Sequence, residues 1–254
     1  MKRILCLLLG VVLSGAAGAQ AVDPSIRKVA VLSLIGDEMT VDTYRPRVGT
    51  GVDSNRRETI PVPSPVFDHA AIFAAVDALT PLLPASGVSA LAVPAAGSAS
   101  DPNRLLADGA IAPSSAPVGS LRESGFSHLL PISKHRGLAR LQLKDLAVGS
   151  GHLRGIGFYI DRDLRTKRLD TDEAAYGFIA PYAYIRLTLV DLSTLELRSE
   201  QTIAASYTQS AARNERGFDP WGAMSPEQKV AWLKQSIESH VAAAAPLLVR
   251  IKAP

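Results

Sequence analysis

The residues best placed to do chemistry in this sequence cluster near its start. Asp37 and Glu38 follow an apolar run, and Asp42, Tyr44, Arg45, Arg47 and the pair Arg56 and Arg57 come soon after. Acidic groups at the end of a buried strand, facing a stretch with four arginines, define a polar cleft for an anionic ligand such as a phosphate or a carboxylate. A planar guanidinium offers paired N–H donors that match such oxygens. The same residues also fit a set of surface ion pairs, each contributing less than about 1 kcal/mol. No histidine accompanies them to complete a catalytic set.

Other routes to catalysis are thin. A secreted hydrolase needs a nucleophile, a base and an orienting group, and the chain has neither G-x-S-x-G nor H-E-x-x-H. Its five histidines, His69, His128, His135, His152 and His240, are scattered. Of these only His128 and His135 are close in sequence. Their odd separation puts them on opposite faces of a strand, which argues against a shared metal. The glycine-rich stretch 149–157 leads into Phe158, Tyr159 and Ile160, a strand, whereas a phosphate loop must open a helix. It fits a hairpin bend with glycines at positive φ. Asp161, Asp163, Asp170, Asp172 and Glu173 bracket Arg162, Arg165, Lys167 and Arg168 without the turn glycine and closing Glu of a calcium loop. That segment fits a solvated hairpin tip of mixed charge or a partner-docking surface. No catalytic residue, metal or cofactor follows from these patterns.

The first 21 residues carry a different message. Lys2 and Arg3, an apolar run over residues 4–13 and a small-residue end at Ala17, Ala19 and Ala21 form a secretory signal peptide, residues 1–19, with cleavage after Ala19 or Ala21. The apolar run is too short to span a bilayer. Cleavage removes Cys6, the single cysteine, together with Lys2 and Arg3. The formal charge of +3 falls to +1, as 27 basic residues become 25 against 24 acidic. The mature chain of about 235 residues is therefore held by an ordinary core without disulfides. Its near-neutral charge gives no footprint for nucleic acid, and no later stretch suits a transmembrane helix. A periplasmic or secreted location is the expectation.

The elements that must position these residues follow from periodicity. Residues 28–35 form a buried strand, and residues 39–44 are expected to pair with them as a hairpin. Residues 45–65, broken by Pro46, Pro61, Pro63 and Pro65, are expected to be a loop or edge segment. Ser64 and Pro65 start a helix that ends near Pro81, followed by a short strand at 89–93. Residues 94–120 are an Ala/Pro/Ser-rich excursion. Strands at 126–132, 139–146, 154–161, 181–190 and 195–207 suggest an antiparallel meander. Ser225 and Gln228 form a capping box for a long C-terminal amphipathic helix, broken or kinked at Pro246. The expected fold class is α+β: one domain over residues 22–254, a mostly antiparallel sheet and helices packed on one face.

The opening run of Val29, Ala30, Val31 and Leu32, the strand at 126–130 and the hairpin-like segment 185–197 resemble the TolB N-terminal and CsgG-like envelope folds. The whole chain also resembles uncharacterised secreted proteins of proteobacteria. The first resemblance implies an envelope-located assembly or accessory module rather than an enzyme. Together with the signal peptide and the missing catalytic set, it leads to the expectation of a non-enzymatic accessory or binding module that meets an envelope protein partner through its sheet edge and the charged tip at 161–173. Two other readings stay open. One is a hydrolase whose cleft includes Asp37, Glu38 and Arg45; the other is a small-anion binder using Arg45, Arg47, Arg56 and Arg57.

Overall fold

The computed structural model describes residues 21–46, 55–62, 64–84, 87–91, 106–107, 110–111, 116–143, 146–167, 174–210 and 220–251. The expected signal peptide, Arg47, residues 168–173 of the expected charged tip and most of the expected 94–120 excursion lie outside the described residues.

The strands in chain order are β1 (Val29–Leu34), β2 (Glu38–Thr43), β3 (Arg56–Pro61), β4 (Val88–Ala90), β5 (Leu106–Ala107), β6 (Ala110–Ile111) and β7 (His128–Lys134). There follow β8 (Arg136–Leu138), β9 (Leu141–Leu143), β10 (Leu146–Val148), β11 (His152–Lys167), β12 (Ala174–Asp191), β13 (Leu197–Ser206) and β14 (Gln209–Ser210). The helices are α1 (Val66–Leu79), α2 (Ala116–Glu123) and α3 (Pro226–Leu248), with a 3-10 turn at Pro220–Ala223. Among the described residues, no helix is long and apolar enough to cross a membrane.

The main sheet runs β3-β2-β11-β12-β7-β1-β4, with β13 and β14 also on β12 and β8 on β11. It is mixed rather than mostly antiparallel: β1 runs parallel to both β7 and β4, and β2 runs parallel to β11. The expected β1–β2 hairpin does not form. β1 is the most apolar short strand, and it fills an interior position with both edges paired, to His128–Lys134 on one side and Val88–Ala90 on the other. Gly36, at φ 72°, turns the chain out of β1, a conformation that favours glycine. β2 is thereby delivered to the far side of the sheet, against β11. β12 holds the halves together. Its residues up to Tyr184 pair with β11, those from Ile185 pair with β7, and β13 lies along its opposite edge.

The strand period of two splits the core between the sheet faces. Val29, Val31, Ile132, Phe158, Ile185 and Leu187 face α1 and α3, whose Phe67, Ala71, Leu233, Ile237 and Val241 close the principal core. Ala30, Leu32, Leu129 and Val190 face the other way and are covered by Val118 and Leu121 of α2. Helices thus lie on both faces rather than on one. Farther along that second face, Tyr159, Phe178, Tyr182 and Tyr184 pack with Leu141 and Leu153.

α3 begins as its capping box dictates: Ser225 Oγ accepts the Gln228 amide at 3.2 Å and Gln228 Oε1 accepts the Ser225 amide at 2.8 Å. The helix runs past Pro246 to Leu248 instead of breaking there. Pro246 cannot donate to the Ala242 carbonyl, so one helical bond is absent two residues before the end of the helix. α1 starts one residue later than expected, with Pro65 in the cap position and no side-chain cap of its own.

Candidate functional site

Residues 45–65 contain a strand, and this decides where the arginines go. β3 pairs antiparallel with β2, matching Arg56 to Thr43, Arg57 to Asp42, Glu58 to Val41 and Ile60 to Met39. It is the last strand of the sheet on that side. Because successive side chains of a strand point to opposite faces, the adjacent Arg56 and Arg57 serve different faces of the sheet.

Arg57 turns to the tyrosine-rich face. Its Nε donates to Asp42 Oδ1 at 2.8 Å, and its second guanidinium nitrogen donates to the His152 carbonyl at 2.8 Å. Asp42 is fully buried, and its other oxygen accepts the Tyr182 hydroxyl at 2.6 Å. Burial, reinforced by the Asp42 charge, pushes the Tyr182 phenol well above its ordinary pKa, so it stays a neutral donor. Tyr182 reaches Asp42 by lying across Gly157, which pairs with Tyr182 on one side and Thr40 on the other. A Cβ on Gly157 would sit 1.9 Å from the Thr40 carbonyl oxygen; only glycine fits there. Every part of this cluster is enclosed or paired, and its role is to lock β2, β3, β11 and β12 together.

Arg56 turns to the helix-side face and lines a pocket of about 410 Å³ with Val41, Thr43, Tyr44, Arg45, Glu58, Ile60, Ile160, Arg162 and Trp221. Thr43 stands between Arg56 and Ile160, and Val41 between Glu58 and Phe158, so the floor is a lattice of three strands. The 3-10 turn supplies the wall. Trp221 packs edge-on to Phe158 at 5.5 Å, and the Lys229 ammonium sits 3.9 Å from its ring centroid. Arg56 is paired to Glu58.

The acidic residues lie elsewhere. Asp37 Oδ1 accepts the Phe67 amide at 3.4 Å at the start of α1, which supplies the cap that Pro65 cannot. Burial and the nearby Asp68 charge push the Asp37 carboxyl up. Asp68 is itself buried and accepts the Ile35 and Gly36 amides at 3.1 and 3.2 Å and the Ser33 hydroxyl. Glu38 pairs with Lys134 at 2.5 Å. From Glu38 to Thr43 is five residue steps, about 17 Å of extended chain, and Arg45 lies beyond. Asp37 and Glu38 are therefore at one end of β2 and Arg45 at the other. The structure brings Arg45 and Arg56 into one pocket, sends Arg57 to the opposite face and leaves the acidic pair apart from both.

Sequence reasoning missed Glu58, Ile60, Ile160, Arg162 and Trp221. The alternation of Arg56, Glu58 and Ile60 is the signal that could have revealed β3 and one wall of the pocket. Nothing local announces Trp221, which arrives from a turn more than 150 positions away.

No protein-family model matches the chain, and no curated protein matches it. Among solved structures it is similar to a Helicobacter pylori protein described as a homolog of the neuraminyllactose-binding hemagglutinin, at 11% identity over 89% of this chain and 88% of that one, with a TM-score of 0.40. It is also similar to the PelC dodecamer of Paraburkholderia phytofirmans, at 12% identity over 92% and 94% of the chains and a TM-score of 0.34. A third, a DUF330 protein of Xanthomonas campestris, aligns at 10% identity over 91% and 88%, with a TM-score of 0.37. These comparisons do not show the TolB or CsgG resemblance.

Proposed function

We propose that this chain is an exported, non-enzymatic accessory or binding module of the bacterial cell envelope, and that what it binds is an anionic group received in the pocket at the β2–β3 edge. The observation that carries this reading is the convergence of Arg45, Arg56 and Arg162 on one open pocket. A guanidinium offers paired N–H donors that match a carboxylate or phosphate, and a partly desolvated site makes each charge-assisted hydrogen bond stronger than it is in bulk water. The leader-like N-terminus supports export. The hydrolase alternative relied on Asp37 and Glu38 acting with Arg45. Asp37 is occupied in capping α1 and Glu38 in holding Lys134, which leaves the binding reading as the better fit.

The test is calorimetric titration of the mature chain with acetate, inorganic phosphate and octanoate at low and high salt. At least one anion is expected to bind, more weakly as salt rises, and the Arg45→Ala/Arg56→Ala double variant is expected to bind at least tenfold more weakly. Equal binding by that variant removes the pocket from the proposal.

A further inference from the structure

The edges of the mixed sheet are not alike. β3 and β4 close its two ends, and β13 lies along the outer side of β12 with no strand beyond it among the described residues. An unpaired strand edge is a row of N–H and C=O groups that another extended chain can take up, and proteins blunt such edges with short strands, charge and proline. β3 carries Arg56, Arg57 and Glu58 and ends at Pro61. β4 has three residues. β13 has ten, and from Gln201 to Ser206 it holds neither a charge nor a proline. Its two charged residues stand toward one end, and each has a partner within the chain: Arg198 lies 3.3 Å from Asp23, and Glu200 lies 3.7 Å from Arg186.

The register decides which groups face outward. The Tyr207 amide donates to the Pro181 carbonyl at 3.2 Å, continuing the ladder that matches Ser206 to Tyr182 and Ile203 to Ile185. Along an antiparallel pair, residues that exchange backbone bonds alternate with residues that do not. Ile203 and Ala205, like Tyr207, therefore turn their backbone groups to β12. Glu200, Thr202 and Ala204 turn theirs away, and all three are exposed. Leu197 and Tyr207, at the two limits of the strand, are exposed as well, at 57% and 56%. Tyr207 is stacked on Trp232 of α3 with ring centroids 6.4 Å apart, which holds it beside the edge.

We infer that β13 pairs antiparallel with β13 of a second copy of this chain, across a two-fold axis at Thr202, so that the sheet continues from one copy into the other. A strand that pairs with itself must suit its own reversed sequence, and this one does. With Thr202 opposite Thr202, Glu200 meets Ala204 and Arg198 meets Ser206. No like charges oppose each other, and a β-branched pair sits on the axis. The same centre brings Leu197 of each copy to Tyr207 of the other, covering two apolar side chains that a single chain leaves exposed. The outward N–H and C=O groups of Glu200, Thr202 and Ala204 then gain protein partners in place of water. This contact is independent of the pocket at β3.

The experiment follows the mature chain by sedimentation velocity over a wide range of concentration, where the parent is expected to pass from monomer to dimer. Thr202→Pro removes an outward N–H that the fold does not use and is expected to stay monomeric throughout, with the circular dichroism of the parent. Thr202→Lys sets two ammonium groups face to face and is expected to weaken the dimer severalfold while leaving the fold intact. Thr59→Lys, the same change on the β3 edge, is expected to associate as the parent does. Because Cys6 is the single cysteine and leaves with the expected signal peptide, Thr202→Cys is expected to be joined to its own copy by a short bis-maleimide, and Thr59→Cys is not. A parent that stays monomeric at every concentration would overturn the inference. So would a dimer that Thr202→Lys leaves unweakened, or one that Thr59→Lys weakens as much.

Discussion

Arg56 and Arg57 are neighbours in sequence and opposites in circumstance. Arg57 is bonded to a fully buried carboxylate in a cluster closed by Tyr182 and Gly157. Arg56 stands on the other side of the same strand, exposed and paired to exposed Glu58, at the edge of an open pocket. The Arg57 guanidinium, though its side chain is 43% exposed, is bonded to a buried carboxylate and holds strands in register. On the open face Arg56 is paired to a carboxylate that is itself exposed. The difference teaches that arginine content alone does not mark a binding site; the parity of each position along β3 decides which face of the sheet each cation serves.

The comparison can be broken first at Gly157. Gly157→Ala puts a methyl into the Thr40 carbonyl, and overpacking of that kind should destabilise the fold by about 3 kcal/mol or more, measured by urea unfolding. Arg57→Ala comes next. It removes the guanidinium from a buried carboxylate and should lower stability by about 3 kcal/mol, whereas Arg56→Ala should change it by less than about 0.5 kcal/mol. Similar losses from the two substitutions would erase the distinction between the faces.

A buried group at the far side of the sheet extends the logic of sealing to pH. His128 on β7 is buried, with Nδ1 3.0 Å from Ser127 Oγ and no hydrogen-bond partner for Nε2 among the described residues. Burial pushes its pKa down, with Arg198 acting in the same sense and Asp191 and Asp23 opposing. The unfolded chain therefore takes up a proton near pH 6.5 that the folded chain resists, so stability should fall as pH drops below about 6.5. Unfolding midpoints measured from pH 7.5 to 5.5 should show that decline. His128→Leu should make it shallower, leaving the part due to His135, whose ring burial and Arg186 also push down.

What could be read from the sequence was mostly local. Ser225 and Gln228 specify the start of α3 because both partners of a capping box lie within one turn. The largely apolar runs at residues 28–35 and 181–190 announce strands because burial on both faces favours apolar side chains. Pairing is another matter. β1 and β2 look like a hairpin, yet β2's partner β11 lies more than a hundred residues away, and no local pattern encodes a parallel neighbour at that distance. β3 was hidden by the prolines and charges that suit an edge strand. Of the candidate site, Arg45 and Arg56 were visible as residue types. Their separation from Asp37, Glu38 and Arg57 became visible only with the register.

The most direct test of the account sets the two neighbouring arginines against each other in one pair of proteins. Arg56→Ala and Arg57→Ala are each compared with the parent mature chain by thermal unfolding and by titration with the anion that the parent binds most tightly. The account predicts that Arg56→Ala leaves the midpoint within about 2 °C, the shift expected from about 0.5 kcal/mol in a chain of this size, and weakens binding severalfold. Arg57→Ala is predicted to lower the midpoint by about 6–12 °C and, below its own transition, to bind that anion as the parent does. Binding lost in Arg57→Ala and kept in Arg56→Ala would contradict it.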